Sequence, residues 1–166
     1  MPGCGKSTFG RKVARELNMD FFDLDKAIIE EEGLPITDIF AQKGEDHFRE
    51  VESRLLREIS STNENFLMAT GGGAPCFFDN MDFMNEQGYT IYIDTPVETL
   101  MERLSFSGIN KRPLLKNMGE ENLFEGLTEK LNVRLPFYSQ ARIAFKYNVS
   151  LESDIIQYLR DAAGGQ

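Results

Sequence analysis

The stretch Gly3-Cys4-Gly5-Lys6-Ser7-Thr8 constrains this chain more than any other. Read back from Lys6-Ser7, it is most of the phosphate-loop pattern G-x-x-x-x-G-K-[ST]. Glycines at 3 and 5 let the backbone turn tightly and aim its N–H groups inward. That makes an anion nest at the start of a helix, where the helix dipole also favours negative charge. Lys6 would reach the outer phosphates, and the Ser7 hydroxyl would take a place on Mg²⁺. The plain alternative is a disordered, glycine-containing terminus. It does not account for Phe9, Val13, Ala14 and Leu17, which fall on one face of a helix with Arg11, Lys12, Arg15 and Glu16 elsewhere. The pattern's first glycine would fall one position before Met1, and the apolar strand that feeds such a loop would lie before that. Either the natural start lies upstream or the protein tolerates the loss.

Downstream, short apolar runs alternate with helical patterns. Phe21-Phe22-Asp23-Leu24-Asp25 reads as a buried strand ending in two acids at alternate positions. On a strand these share a face, at the carboxyl end where α/β sheets place ligands. A site role with Mg²⁺ or a substrate hydroxyl stands against helix capping, which would explain one acid but not two. A helix over residues 27–32 stops at Gly33-Leu34-Pro35. Another restarts after Pro35, breaks at Lys43-Gly44-Glu45 and resumes over about 46–60. Arg49 and Glu52 sit three apart there, which on an anonymous helix is a solvated pair. His47, the single histidine, has no partner motif.

Phe66 to Thr70 suits a buried parallel strand, and it opens into Gly71-Gly72-Gly73-Ala74-Pro75. Three glycines at a strand end are costly in entropy and make sense where backbone must approach a ligand. A helix over 79–87, a strand over 90–94 and a helix from Val97 carrying Arg103 follow. Residues 105–119 are polar, poor in core residues and long enough for a mobile lid, with Lys111 and Arg112 in the middle. A helix from Glu120 reaches Arg134, Pro136 interrupts it, and a strand over 143–149 and a helix over 154–162 close the chain. The alternation predicts an α/β domain with a parallel sheet.

At 166 residues a single domain is expected. A net charge of −9 argues against a general nucleic-acid binder, so a small anionic substrate would need its own arginines. Cys4 and Cys76 are too few for a disulfide framework and read as free thiols in a reducing cytoplasm. No signal peptide or membrane-length apolar run is visible.

Together these residues resemble the shikimate kinase family, small P-loop kinases of the aromatic amino-acid pathway. The resemblance spans nearly the whole chain. It rests on Gly3 to Thr8, Asp23-Leu24-Asp25, Phe48-Arg49-x-x-Glu52, Thr70-Gly71-Gly72-Gly73-Ala74, Lys111-Arg112-Pro113-Leu114-Leu115 and Arg134-x-x-x-Tyr138. It implies a three-layer P-loop kinase-like α/β fold, with a parallel sheet, helices on both faces and a mobile lid. Four strands are visible where the family has five, so the sheet would lose a central member. It further implies transfer of phosphate from ATP to the 3-hydroxyl of shikimate. A cytoplasmic monomer without nucleic-acid or membrane partners is expected.

The resemblance assigns Gly3, Cys4, Gly5, Lys6, Ser7 and Thr8 to the ATP phosphates, Ser7 to Mg²⁺, and Asp23 to the metal through water. Asp25 would orient the attacking hydroxyl, with or without deprotonating it. Arg49 and Arg134 would clamp the shikimate carboxylate, and Gly71, Gly72 and Gly73 would offer backbone groups. Arg112 would meet the transferring phosphate, Arg103 could stack on adenine, and Glu52 would orient Arg49. Rival readings are a small kinase acting on gluconate or a nucleotide, and an ATP-binding domain left inert by the missing strand.

Overall fold

A computed structural model describes residues 1–106, 120–148 and 150–164. The order is α1 (Lys6–Glu16), β1 (Asp20–Asp23), α2 (Leu24–Glu32), α3 (Ile36–Thr62), β2 (Phe66–Ala69), a 3₁₀ turn (Ala74–Cys76), α4 (Asn80–Gln87), β3 (Ile91–Asp94), α5 (Val97–Phe106), α6 (Glu120–Tyr138), β4 (Ile143–Lys146) and α7 (Leu151–Gly164). Of the expected lid, 105–106 belong to α5, whereas 107–119, with Lys111 and Arg112, lie outside the described residues.

Alternate strand residues face opposite layers, as a period of two requires. Leu67 of β2 and Ile91 and Ile93 of β3 pack with Val13 of α1 and with Leu151 and Ile155 of α7. Met68 points the other way, into Leu24, Ile28, Ile39 and Leu56 of α2 and α3. Tyr92 joins Leu100, Leu104, Leu123 and Leu127 of α5 and α6. Helices therefore cover both faces. Leu24, Ile28 and Ile39 are fully buried, each contributing about 1.5–3 kcal/mol, and they hold α2 and α3 against each other.

Several boundaries differ from the sequence expectation. The first strand ends at Asp23, not Asp25, because the Asp23 carboxylate accepts from the Lys26 N–H at 3.4 Å and starts α2 early. Asp23 and Asp25 therefore do not share a strand face: Asp23 is a helix cap and Asp25 lies in the first helical turn. The break at Gly44 is present, with φ 84° and ψ 172° inside α3. Pro136 does not end α6, which continues to Tyr138. The last strand stops at Lys146, and α7 begins at Leu151.

Among the described residues all strand pairing is parallel, but it forms two pairs rather than one sheet. β1 pairs with β2 from Asp20↔Phe66 to Asp23↔Ala69, and β3 with β4 from Ile91↔Ile143 to Asp94↔Lys146. No ladder joins β2 to β3 among the described residues. Between them lies a cavity of about 420 Å³ lined by Phe66, Met68, Ile91 and Ile93, too wide for strands that bond only some 4.8 Å apart.

Candidate active site

Both halves of the site grow from strand ends and helix starts. Gly5 caps α1 in the left-handed conformation, φ 92°, which a side chain rarely adopts, and Gly3 has φ 79°. The turn leaves Lys6, Ser7 and Thr8 in the first turn of α1. Lys6 folds back over the loop, its Nζ donating to the Met1 carbonyl at 3.1 Å and lying 3.7 Å from Cys4 Sγ. Burial alone would raise the Cys4 thiol, but the Lys6 charge, the amino terminus and a Lys6 backbone hydrogen bond outweigh it and bring it below its usual range. Arg103 of α5 donates to the Gly3 carbonyl at 3.1 Å and lies 4.2 Å from the Tyr147 ring, so it is packed on the loop and already stacked on one aromatic.

The second half gathers at the carboxyl ends of β1 and β2, which are neighbours. Beyond Ala69 the chain turns through the three glycines, and each meets a different charge. A Cβ on Gly71 would lie 3.0 Å from Asp25 Oδ1 and 2.6 Å from Glu52 Oε1. One on Gly72 would lie 3.0 Å from Arg134 Nη1, and one on Gly73 would lie 2.7 Å from both terminal nitrogens of Arg49. Alanine at 73 would therefore push into a guanidinium that cannot easily yield. Arg49 Nη1 donates to Glu52 Oε2 at 2.7 Å, Nη2 donates to Glu45 Oε1 at 3.0 Å, and the group lies 4.1 Å from the Phe77 ring. With 8 % of Arg49 exposed and 1 % of Glu52, the solvated pair that spacing alone suggests is a buried one. Its cover comes from Gly73 and the Phe77 ring of the segment after β2, which helix periodicity cannot anticipate.

The two halves meet at Tyr138. Its hydroxyl donates to the Gly72 carbonyl at 2.6 Å and receives the Met1 ammonium at 3.3 Å. Burial pushes that hydroxyl up to about 12. The sequence flagged Tyr138 only as part of the Arg134-x-x-x-Tyr138 motif, and it flagged neither Glu45 nor Asn80. The structure brings together Lys6, Asp25, Arg49, Gly71, Gly72, Gly73 and Arg134. Asp23 is engaged as a cap, and Arg112 lies outside the described residues.

Glu52 Oε1 is a buried carboxylate oxygen with no hydrogen-bond partner among the described residues. It points toward Gly71 beside Asp25, where an incoming donor could meet it. Burial raises the Glu52 pKa above its usual value, and the Arg49 hydrogen bond only partly offsets this. Between the unfolded value near 4.5 and the raised folded one, the folded state holds more protons. Glu52 therefore contributes a stability that is full below that window and is lost as pH rises through it. In Glu52→Gln this fall should disappear from the difference in urea midpoints between acidic and neutral pH. An identical pH dependence in both proteins would contradict it.

A glycine-rich turn opening a helix, a lysine behind it, and an arginine-lined pocket beside it on one end of parallel strands define a P-loop kinase. A shikimate kinase family model matches residues 2–163. The shikimate kinase of Phocaeicola vulgatus is 42% identical over 144 residues, 87% of this chain and 81% of that protein. The crystal structure of shikimate kinase from Bacteroides thetaiotaomicron superposes with a TM-score of 0.88 at 36% identity, covering 98% of this chain and 93% of that one. The solved structure of shikimate kinase from Acinetobacter baumannii in complex with shikimate superposes with a TM-score of 0.83 at 34% identity, covering 98% of this chain and 88% of that one. The chain belongs to the shikimate kinase family.

Proposed function

We propose that Lys6, Asp25 and Arg112 carry the chemistry of this chain, with Gly3 to Thr8, Arg103 and Arg112 on the nucleotide and Asp25, Arg49, Gly71, Gly72, Gly73 and Arg134 on the acceptor. The chain is an ATP-dependent phosphotransferase that phosphorylates a hydroxyl of shikimate. Phosphoryl transfer asks for positioning and charge neutralisation more than covalent chemistry. Asp25 holds the 3-hydroxyl and accepts its proton as the oxygen attacks. Arg49 and Arg134 present planar forks suited to both oxygens of one carboxylate. Lys6 leaves the Met1 carbonyl to meet the phosphates, and Arg112, from the stretch the sequence reads as a lid, neutralises the transferring phosphate.

Mg²⁺ fits the donor set. Ser7 offers a hydroxyl and Asp23 the carboxylate oxygen not used in its cap. Two such oxygen donors would suit an ion whose other positions are taken by phosphate oxygens and water. The ion would supply neutralisation of phosphate charge. We read the protein as one domain and a cytoplasmic monomer without nucleic-acid or membrane partners. The net charge of −9 supports the nucleic-acid part, and no helix among the described residues is long and apolar enough to cross a membrane.

What supports the acceptor assignment is the glycine run: three consecutive residues without side chains, faced by a carboxylate pair and two arginines. ADP release should depend on shikimate and not on gluconate or a nucleoside monophosphate. Nucleotide binding without turnover of any of the three would mark an inert domain. Arg134→Lys should raise the shikimate KM roughly 10- to 100-fold, the worth of one lost charged hydrogen bond, with the ATP KM nearly unchanged. An unchanged shikimate KM would remove Arg134 from the clamp.

A further inference from the structure

The glycine run is only as well placed as the backbone that follows it, and that backbone is tied down by a side chain with no contact to the pocket. Asn80, the first residue of α4, is fully buried. Its Nδ2 donates to the Ala74 carbonyl at 3.0 Å. Its Oδ1 accepts from Ser53 Oγ at 2.8 Å and from Arg57 Nη1 at 2.7 Å, both on α3. The partners dictate which way the amide faces: the Ala74 carbonyl can only accept and the Arg57 guanidinium can only donate. Arg57 also pairs with Asp79, the residue before α4.

Ala74 lies between two points at which this segment presses on Arg49. On one side is Gly73, whose absent Cβ leaves room for the guanidinium; on the other is the Phe77 ring at 4.1 Å. Arg49 lies on α3 one turn before Ser53 and two before Arg57. The same helix therefore supplies the arginine and, through Asn80, the anchor of the loop that packs on it.

We propose that Asn80 is a positioning residue for the acceptor pocket. Its amide locks the Gly73–Phe77 segment to α3, so that the glycine run and the Arg49 fork keep one spacing before substrate arrives. A buried amide held by three hydrogen bonds is rigid, and rigidity in a loop that offers backbone groups to a ligand lowers the cost of ordering it on binding. The inference rests on the reading that Gly71 to Gly73 line the shikimate pocket.

Asn80→Asp tests it. Aspartate keeps an acceptor for Ser53 and Arg57, now as an ion pair with Arg57, and loses the donor to Ala74. The expected result is a folded protein with the shikimate KM raised about five- to tenfold, the worth of one hydrogen bond, and an unchanged ATP KM. A residue needed only for packing would lower the melting temperature and leave both KM values alone. A folded Asn80→Asp protein with an unaltered shikimate KM therefore overturns the proposal. Should that variant fail to fold, Arg57→Gln at its half-exposed position loosens the amide from the other side. A severalfold rise confined to shikimate is then expected, and no rise overturns the proposal. Arg134→Lys, assayed in parallel, separates the two readings. If it raises the shikimate KM while Asn80→Asp does not, only the role of Asn80 falls. If neither does, the pocket assignment falls and takes Asn80 with it.

Discussion

Asp25→Asn is expected to lower kcat by about 10²- to 10⁴-fold, the usual worth of a positioned general base, while the ATP KM stays within about twofold. Asp25 lies in the first turn of α2, where the dipole favours a carboxylate, and its Oδ1 faces Gly71. Asparagine matches its shape but cannot take a proton, and it turns an N–H₂ toward a hydroxyl that itself needs an acceptor. The phosphate loop is built from residues 3–8 and is untouched by the change. Steady-state kinetics with each substrate varied in turn decides the matter. A parallel rise in the ATP KM would place Asp25 in the nucleotide half instead.

Arg49→Ala should be the most destabilising of the substitutions considered, by about 3–5 kcal/mol. The reason is what it leaves behind. Glu52 is 1 % exposed, and without Arg49 its charge would sit buried with one oxygen already unpartnered. The Phe77 and Phe48 rings would lose the cation packed 4.1 and 5.0 Å from their centres. Arg49→Met combined with Glu52→Gln removes both charges and keeps volume, so it should recover much of the stability but not the shikimate KM. Urea denaturation separates the outcomes: a loss below about 1 kcal/mol for Arg49→Ala would be that of an exposed pair.

Pocket and stability meet in that pair, and here sequence and structure part company. Helical spacing puts Arg49 and Glu52 on neighbouring positions, but it cannot tell a solvated pair from a buried one, because burial depends on the loop that arrives from residues 71–77. Asp23 and Asp25 give the reverse case. Alternation predicts a shared strand face, and a local competition overrides it: the Asp23 carboxylate caps the Lys26 N–H and starts a helix. Asp25 is placed beside the glycine run in either reading, but for a different geometric reason.

What the amino-acid order determined by itself is the local and periodic part: a glycine–lysine turn entering an amphipathic helix, the alternation of apolar runs with helices, the break at Gly44 and the glycine run after β2. Each depends on neighbours a few residues apart. What only the tertiary structure decided depends on residues far apart in the chain. Asn80 faces Ser53 and Arg57 across 27 and 23 positions, and Tyr138 reaches Gly72 across 66. Among the described residues the four strands divide into two pairs with a cavity between β2 and β3. A strand's own residues specify that it can pair, but not which edge it meets, since the ladder is made by backbone groups that every sequence shares.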